Sequence, residues 1–116
     1  MTVQHFRVQE TDFTAFADVG APVGTPVPQA RTAADQELPW ADVGIWECSP
    51  GRLERQIAEA EYTYFISGKA RFTPDGGETI EIRAGDSMFF PANTKGVWEV
   101  DETLRKSYVV FRNSAA

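Results

Sequence analysis

The stretch Glu61-Tyr62-Thr63-Tyr64-Phe65-Ile66-Ser67-Gly68, continuing through Pro74-Asp75-Gly76-Gly77 and Ala84-Gly85-Asp86 to Pro91, decides the fold. Aromatic and β-branched residues come in short runs (61–67, 70–73, 78–83, 87–90), each cut off by a glycine, a proline or an Asp-Gly pair. Runs of this kind between such breakers read as strands and tight turns. Asp75-Gly76-Gly77 is the strongest hairpin signal, because glycine accepts the positive φ that such turns require. Outside this stretch the same texture holds for 43–48, 52–58, 97–100 and 104–112. Eight short segments at nearly even spacing predict an all-β sandwich or barrel.

The first third of the chain reads differently. Residues 3–8 alternate imperfectly and are expected as a strand. Residues 11–16 are expected to open one helical turn capped by Thr11 or Asp12. Gly20-Ala21-Pro22-Val23-Gly24-Thr25-Pro26-Val27-Pro28 carries three prolines and two glycines, which predicts an extended arm. We therefore divide the chain into an N-terminal strand and Pro-rich arm (1–39) and a barrel (40–116).

Composition narrows the function. The chain has 116 residues and a net charge of −6, which fits one domain with one core. An acidic protein lacks the basic surface that displaces counterions from nucleic acid or adheres to anionic lipid, so neither partner is expected. The one cysteine, Cys48, excludes an internal disulfide and fits a reducing compartment. The opening Met-Thr-Val-Gln-His shows no signal-peptide pattern, no apolar run reaches membrane-span length, and the expected location is the cytoplasm.

Two spacings carry a resemblance. Glu61 is separated by six residues from Gly68, and Gly85 by five from Pro91. These resemble the two signature motifs of the cupin family, RmlC-like jelly-roll barrels also described as double-stranded β-helices. Trp46, Pro50-Gly51, Glu61, Gly68, Asp75-Gly76-Gly77, Gly85-Asp86, Phe90-Pro91, Gly96, Trp98 and Arg105-Lys106 further resemble the cupin domain of (S)-ureidoglycine aminohydrolase. The resemblance covers about residues 40–112 and implies a single-domain jelly roll, a homodimer and a pocket inside the barrel. It also implies a metal on three histidines and one glutamate, and here the sequence departs. The His-x-His positions hold Arg55 and Ile57, or Glu54 and Gln56 in the longer register. Gly96 stands where the last histidine belongs, and His5 is the only histidine. No His-ligated metal is expected, and no cofactor. An oxygen-ligand Mn²⁺ site on Glu54, Gln56 and Glu61, with Glu59 nearby, is the alternative, since carboxylate and amide oxygens suit hard cations.

Glu61 is the best candidate for a catalytic or ligand-binding group. Alternation turns Glu61, Thr63 and Phe65 to one face and Tyr62, Tyr64 and Ile66 to the other. A carboxylate inside a barrel must be paired or protonated, and Arg55, Arg105 and Lys106 are its possible ion-pair partners. Of Arg105 and Lys106, alternation sends one inward to meet Glu61 or a substrate carboxylate. Tyr64, Phe89, Trp98 and Lys106 complete the expected ligand-binding set, the three aromatic side chains near the barrel wall. Trp46 and Cys48 are expected to pack, the thiol as an inert one. Three functions follow in order: a barrel binding a small polar metabolite, an aminohydrolase-like enzyme acting on a ureide with Mn²⁺, and a structural or partner-binding domain with a filled barrel.

Overall fold

The computed structural model describes residues 2–9 and 11–112. It is all β, with strands β1 (Ala17–Asp18), β2 (Gln29–Glu37), β3 (Ala41–Cys48), β4 (Gly51–Glu54), β5 (Glu61–Pro74), β6 (Ile80–Arg83), β7 (Ser87–Phe90) and β8 (Gly96–Phe111). Every pairing is antiparallel. Among the described residues no helix is long and apolar enough to cross a membrane.

β5 and β8 are the spine. They pair from Glu61–Val110 to Pro74–Gly96, with register shifts between Phe65 and Ala70. At that bend the sheet folds over itself. The first part of β5 and the last part of β8 pair with β7 and β3, while the other halves pair with β6 and β4. Two β-layers sharing two long strands, with bulges at the corner, close the jelly roll. Gly68, at φ +98°, sits on the bend. A Cβ there would collide with the Thr103 carbonyl oxygen and approach Leu104 Cα to 2.8 Å. The sequence places strand ends at Gly68 and after Val100, whereas the structure runs one strand through each position.

The core between the layers is aromatic. Phe65, Phe72, Phe90 and Trp98 are almost wholly buried. The indole of Trp98 contacts all three rings, with centroids 5.1–6.0 Å apart. Cys48, Leu53, Ala70, Ile82, Val100 and Leu104 fill the remaining space. The Asp75-Gly76-Gly77 turn joins β5 to β6 as expected, with Gly76 at φ +71° and Gly77 N–H donating to the Pro74 carbonyl at 3.0 Å.

The N-terminal third corrects the sequence reading. Residues 3–8 form no strand and 11–16 no helical turn. β2, inside the segment assigned to the arm, pairs with β3 as part of the barrel sheet, so the barrel reaches back past residue 40. Residues 1, 10 and 113–116 of the proposed division lie outside the described residues. The Pro-rich segment is extended, and it runs along its own barrel. Val23 N–H donates to Arg52 O, Glu54 N–H donates to Ala21 O, both at 2.9 Å, and Pro22 bridges Leu53. Further back, the buried Glu47 binds Arg31 and Arg105, and both guanidinium groups lie over the Phe13 ring, at 4.3 and 4.8 Å.

Two outcomes follow from this packing. Gly68→Ala is expected to lower stability by at least about 2 kcal/mol, from the left-handed backbone plus the backbone collision, read as a reduced urea midpoint. Burial pushes the Cys48 thiol up to about 12, with Lys106 pulling weakly the other way. At pH 8.5 the thiol should resist iodoacetamide in the native protein and react on unfolding. Between the ordinary thiol value of 9.0 and about 12, the native thiol keeps a proton that the unfolded chain has lost. Its contribution to stability is therefore full below pH 9 and lost as pH rises through that window. Cys48→Ala should flatten that slope in a pH series of thermal melts.

Candidate functional site

Register fixes which side chains meet inside the barrel. Asp42, Val110, Glu61 and Phe90 stand in one row across β3, β8, β5 and β7. Gly44, Tyr108, Thr63 and Met88 form the next row, and Trp46, Lys106 and Phe65 the one below. Directly opposed residues share a face, so all of these project inward. Of the adjacent cations Arg105 and Lys106, the structure turns Lys106 in and Arg105 out to Glu47.

Glu61 is fully buried, and two cations hold it. Lys106 Nζ donates to Oε2 at 2.8 Å, and an Arg55 Nη donates to Oε1 at 3.1 Å. Arg55 follows β4 and is locked in place. Its guanidinium lies 4.5 Å over the Phe90 ring and also donates to the backbone carbonyls of Ile57, Thr94 and Glu59. The Lys106 ammonium lies 5.0 Å from the Trp46 ring and 5.3 Å from Trp98. An ammonium has three donors, and Glu61 takes one. Burial holds the Lys106 pKa below its ordinary value, against the pull of Glu61 and with a further lowering from Arg55.

Above this centre lies a cavity of about 550 Å³, lined among others by Trp46, Glu61, Trp98, Lys106 and Tyr108, with Val19 and Gly20 of the arm at its margin. That volume suits a metabolite. Tyr108 donates its hydroxyl to Asp35 at 2.6 Å. The contact depends on a bulge in β2, where Ala34 adopts φ +55° and re-aims Asp35. It also depends on Gly44, where a Cβ would collide with Asp35 Oδ1 and come within 2.6 Å of the Tyr108 hydroxyl. Burial, reinforced by Asp35, Asp42 and Glu61, raises the Tyr108 pKa.

The expected site is thus assembled in part. Glu61, Lys106 and Trp98 meet in the barrel. Tyr64 and Phe89 do not reach it: they are 45% and 59% exposed, on the outer face where Phe89 lies opposite Tyr62. The reason is the alternation itself, since inward Glu61, Thr63 and Phe65 force Tyr62 and Tyr64 outward. Trp46 and Tyr108 line the cavity although the sequence reading left them out of the ligand-binding set. The signal was the shared face of Leu104, Lys106, Tyr108 and Val110 on β8.

The residues present do not fit the metal that the cupin resemblance implies. Both Glu61 oxygens accept charged N–H donors, from Arg55 and Lys106, and a cation brought onto the same carboxylate would be repelled by both. Glu54 and Gln56, the alternative oxygen ligands, are exposed at the margin of the cavity, whereas Glu61 is fully buried at its centre. Among the described residues no group of three or more His, Cys, Asp or Glu side chains converges.

Comparison with known proteins agrees with this architecture. A family model described as an EutQ-like cupin domain matches residues 36–108. The EutQ protein of Clostridium difficile is 21% identical, over 78% of this chain and 75% of that one, with a TM-score of 0.65. A DUF861-family protein of Thermotoga maritima is 31% identical over 58% of this chain and 76% of its own length, with a TM-score of 0.56. A DUF1255 protein of Acidithiobacillus ferrooxidans is 25% identical over 90% and 98%, with a TM-score of 0.58. No curated protein matches the chain. The matched segment takes in β3 to β7 and most of β8 together with the Glu61–Lys106 centre, and the chain belongs to the EutQ-like cupin domain family.

Proposed function

We propose that the barrel binds a small polar metabolite by an acid group, on the Lys106 ammonium and without a metal at Glu61. The observation that carries this reading is a charge imbalance. Arg55 and Lys106 share one carboxylate, so the buried centre holds one positive charge too many. Arg55 alone neutralises Glu61, and its other donors are satisfied by backbone carbonyls. Lys106 is therefore surplus to the pairing of Glu61. A buried ammonium costs several kcal/mol of hydration, and an apolar side chain at 106 would pack between the two indoles without that cost. A ligand carboxylate offsets the excess and uses the remaining ammonium donors.

The aromatic placement favours binding over a filled, purely structural barrel. Phe89 faces outward, and Trp98 packs into the floor, which leaves the cavity above it open. The resemblance to the ureidoglycine aminohydrolase cupin supports ureido acids as members of the ligand class. The hydrolase reading itself asks for Mn²⁺ on Glu54, Gln56 and Glu61, and the third of these already spends both oxygens on Arg55 and Lys106.

The two ends of the ion pair should respond oppositely to substitution. Lys106→Met leaves a neutral Arg55–Glu61 pair and is expected to keep or raise the melting temperature. Glu61→Gln leaves two buried cations unpaired and is expected to cost about 3–5 kcal/mol. Short-chain carboxylic and ureido acids should raise the melting temperature of the natural protein and not of Lys106→Met. Unfolding of Lys106→Met, or equal stabilisation of both proteins, would show Lys106 to be a structural cation. Metal analysis after incubation with Mn²⁺ and dialysis should give no stoichiometric metal, and metal that binds and is lost in Glu61→Gln would restore the hydrolase reading.

A further inference from the structure

The cavity is not uniformly positive. Its floor carries the excess charge of Arg55 and Lys106 over Glu61, whereas Asp42, Glu54 and Glu59 also line it. Asp42 is paired with the exposed Arg112. Glu54 and Glu59 have no cationic partner within 4 Å among the described residues. The Tyr108 hydroxyl, between floor and rim, lies in the field of Asp35, Asp42 and Glu61. A simple anion entering this space gains at Lys106 and loses at the rim.

We propose that the ligand is a small zwitterion, with its carboxylate on Lys106 and its cationic nitrogen facing Glu59 and Asp42. This rests on the reading of Lys106 as the acid-binding group and adds the second charge. The register sets the scale. Asp42 and Glu61 flank Val110 in one inward row, so their Cα atoms are about 10 Å apart at roughly 4.8 Å per strand. Lys106 Nζ stands 2.8 Å from Glu61 Oε2, so Glu61 marks the acid end of the site, and with both side chains reaching inward the two charges of the ligand must be closer together than that. An ω-amino acid with a few methylenes meets the requirement, and its apolar middle would lie against Trp46 and Trp98. The two free ammonium donors hold one end. The rim carboxylates, half in solvent, contribute a smaller but selective attraction at the other.

Calorimetric titration of the full chain with 4-aminobutyrate, butyrate and butylamine separates the contributions. The expected order is 4-aminobutyrate tighter than butyrate by about fivefold, equivalent to about 1 kcal/mol, with butylamine weakest. Lys106→Met should abolish binding of both acids. Glu59→Gln should leave butyrate unchanged and bring the ratio of the two acids close to one. Butyrate binding as well as 4-aminobutyrate, or a ratio that Glu59→Gln does not move, overturns the zwitterion while the Lys106 reading stands. Failure of both acids to bind the natural protein removes the Lys106 reading and the zwitterion with it. Butylamine binding that survives Lys106→Met would show that the rim alone selects a cation, and it overturns the proposal.

Discussion

A carboxylate with no solvent exposure is tolerable only if its charge is met inside the fold, and at Glu61 three separate elements supply that condition. Glu61 opens β5, Lys106 lies on the return strand β8, and Arg55 follows the short β4. The contacts exist only if β5 and β8 hold their long register and if the bend at Gly68 brings β4 across. The ion centre and the jelly-roll closure are therefore one constraint. An error in register by one residue would turn Glu61 and Lys106 to the outer face and send Tyr62 and Tyr64 inward. The price of removing so much charge from water falls on a fold already committed to it by its two longest strands.

The aromatic floor explains how such a small barrel keeps an open cavity. Phe65, Phe72, Phe90 and Trp98 fill the lower half with edge-on and tilted ring contacts, so stability is concentrated there. Above them the lining changes to Lys106, Tyr108 and Trp46, which present polar tips or a single indole. Trp98 belongs to both regions, since its ring packs in the core and also borders the cavity. At that boundary one side chain serves both packing and the cavity wall.

What could be read in the sequence was whatever depends on turn chemistry or on alternation. Gly76 and Gly85 mark real turns, and Glu61, Thr63 and Phe65 share the buried face that period-two spacing gives them. Lys106 was one of two candidates, and the choice required knowing that Glu47 and Phe13 claim Arg105. Strand division is not legible at Gly68, which has the look of a terminator, while in the barrel it is the point at which two backbones come too close for a Cβ. β2 is illegible for a different reason. Gln29–Glu37 reads QARTAADQE, with no large apolar residue. Its place in the sheet comes from backbone pairing with β3, which leaves no trace in hydrophobic pattern. Asp35 was likewise invisible, because a bulge aims it and not its spacing.

The overall charge of the protein bears on what reaches the Lys106 centre. At −6, the long-range field repels anions as they approach, and within about 8 Å of the surface salt does not fully screen it. An acid that is anionic overall meets that field and then the carboxylates of the rim before it gains anything at the floor. A ligand of zero net charge meets neither barrier in full. Its cationic end is drawn to the rim, and its acid end reaches a region where low dielectric strengthens the attraction to the ammonium. If the barrel binds as proposed, the acidic exterior and the positive interior would act as successive filters, and a molecule carrying both charges is the one that neither would reject.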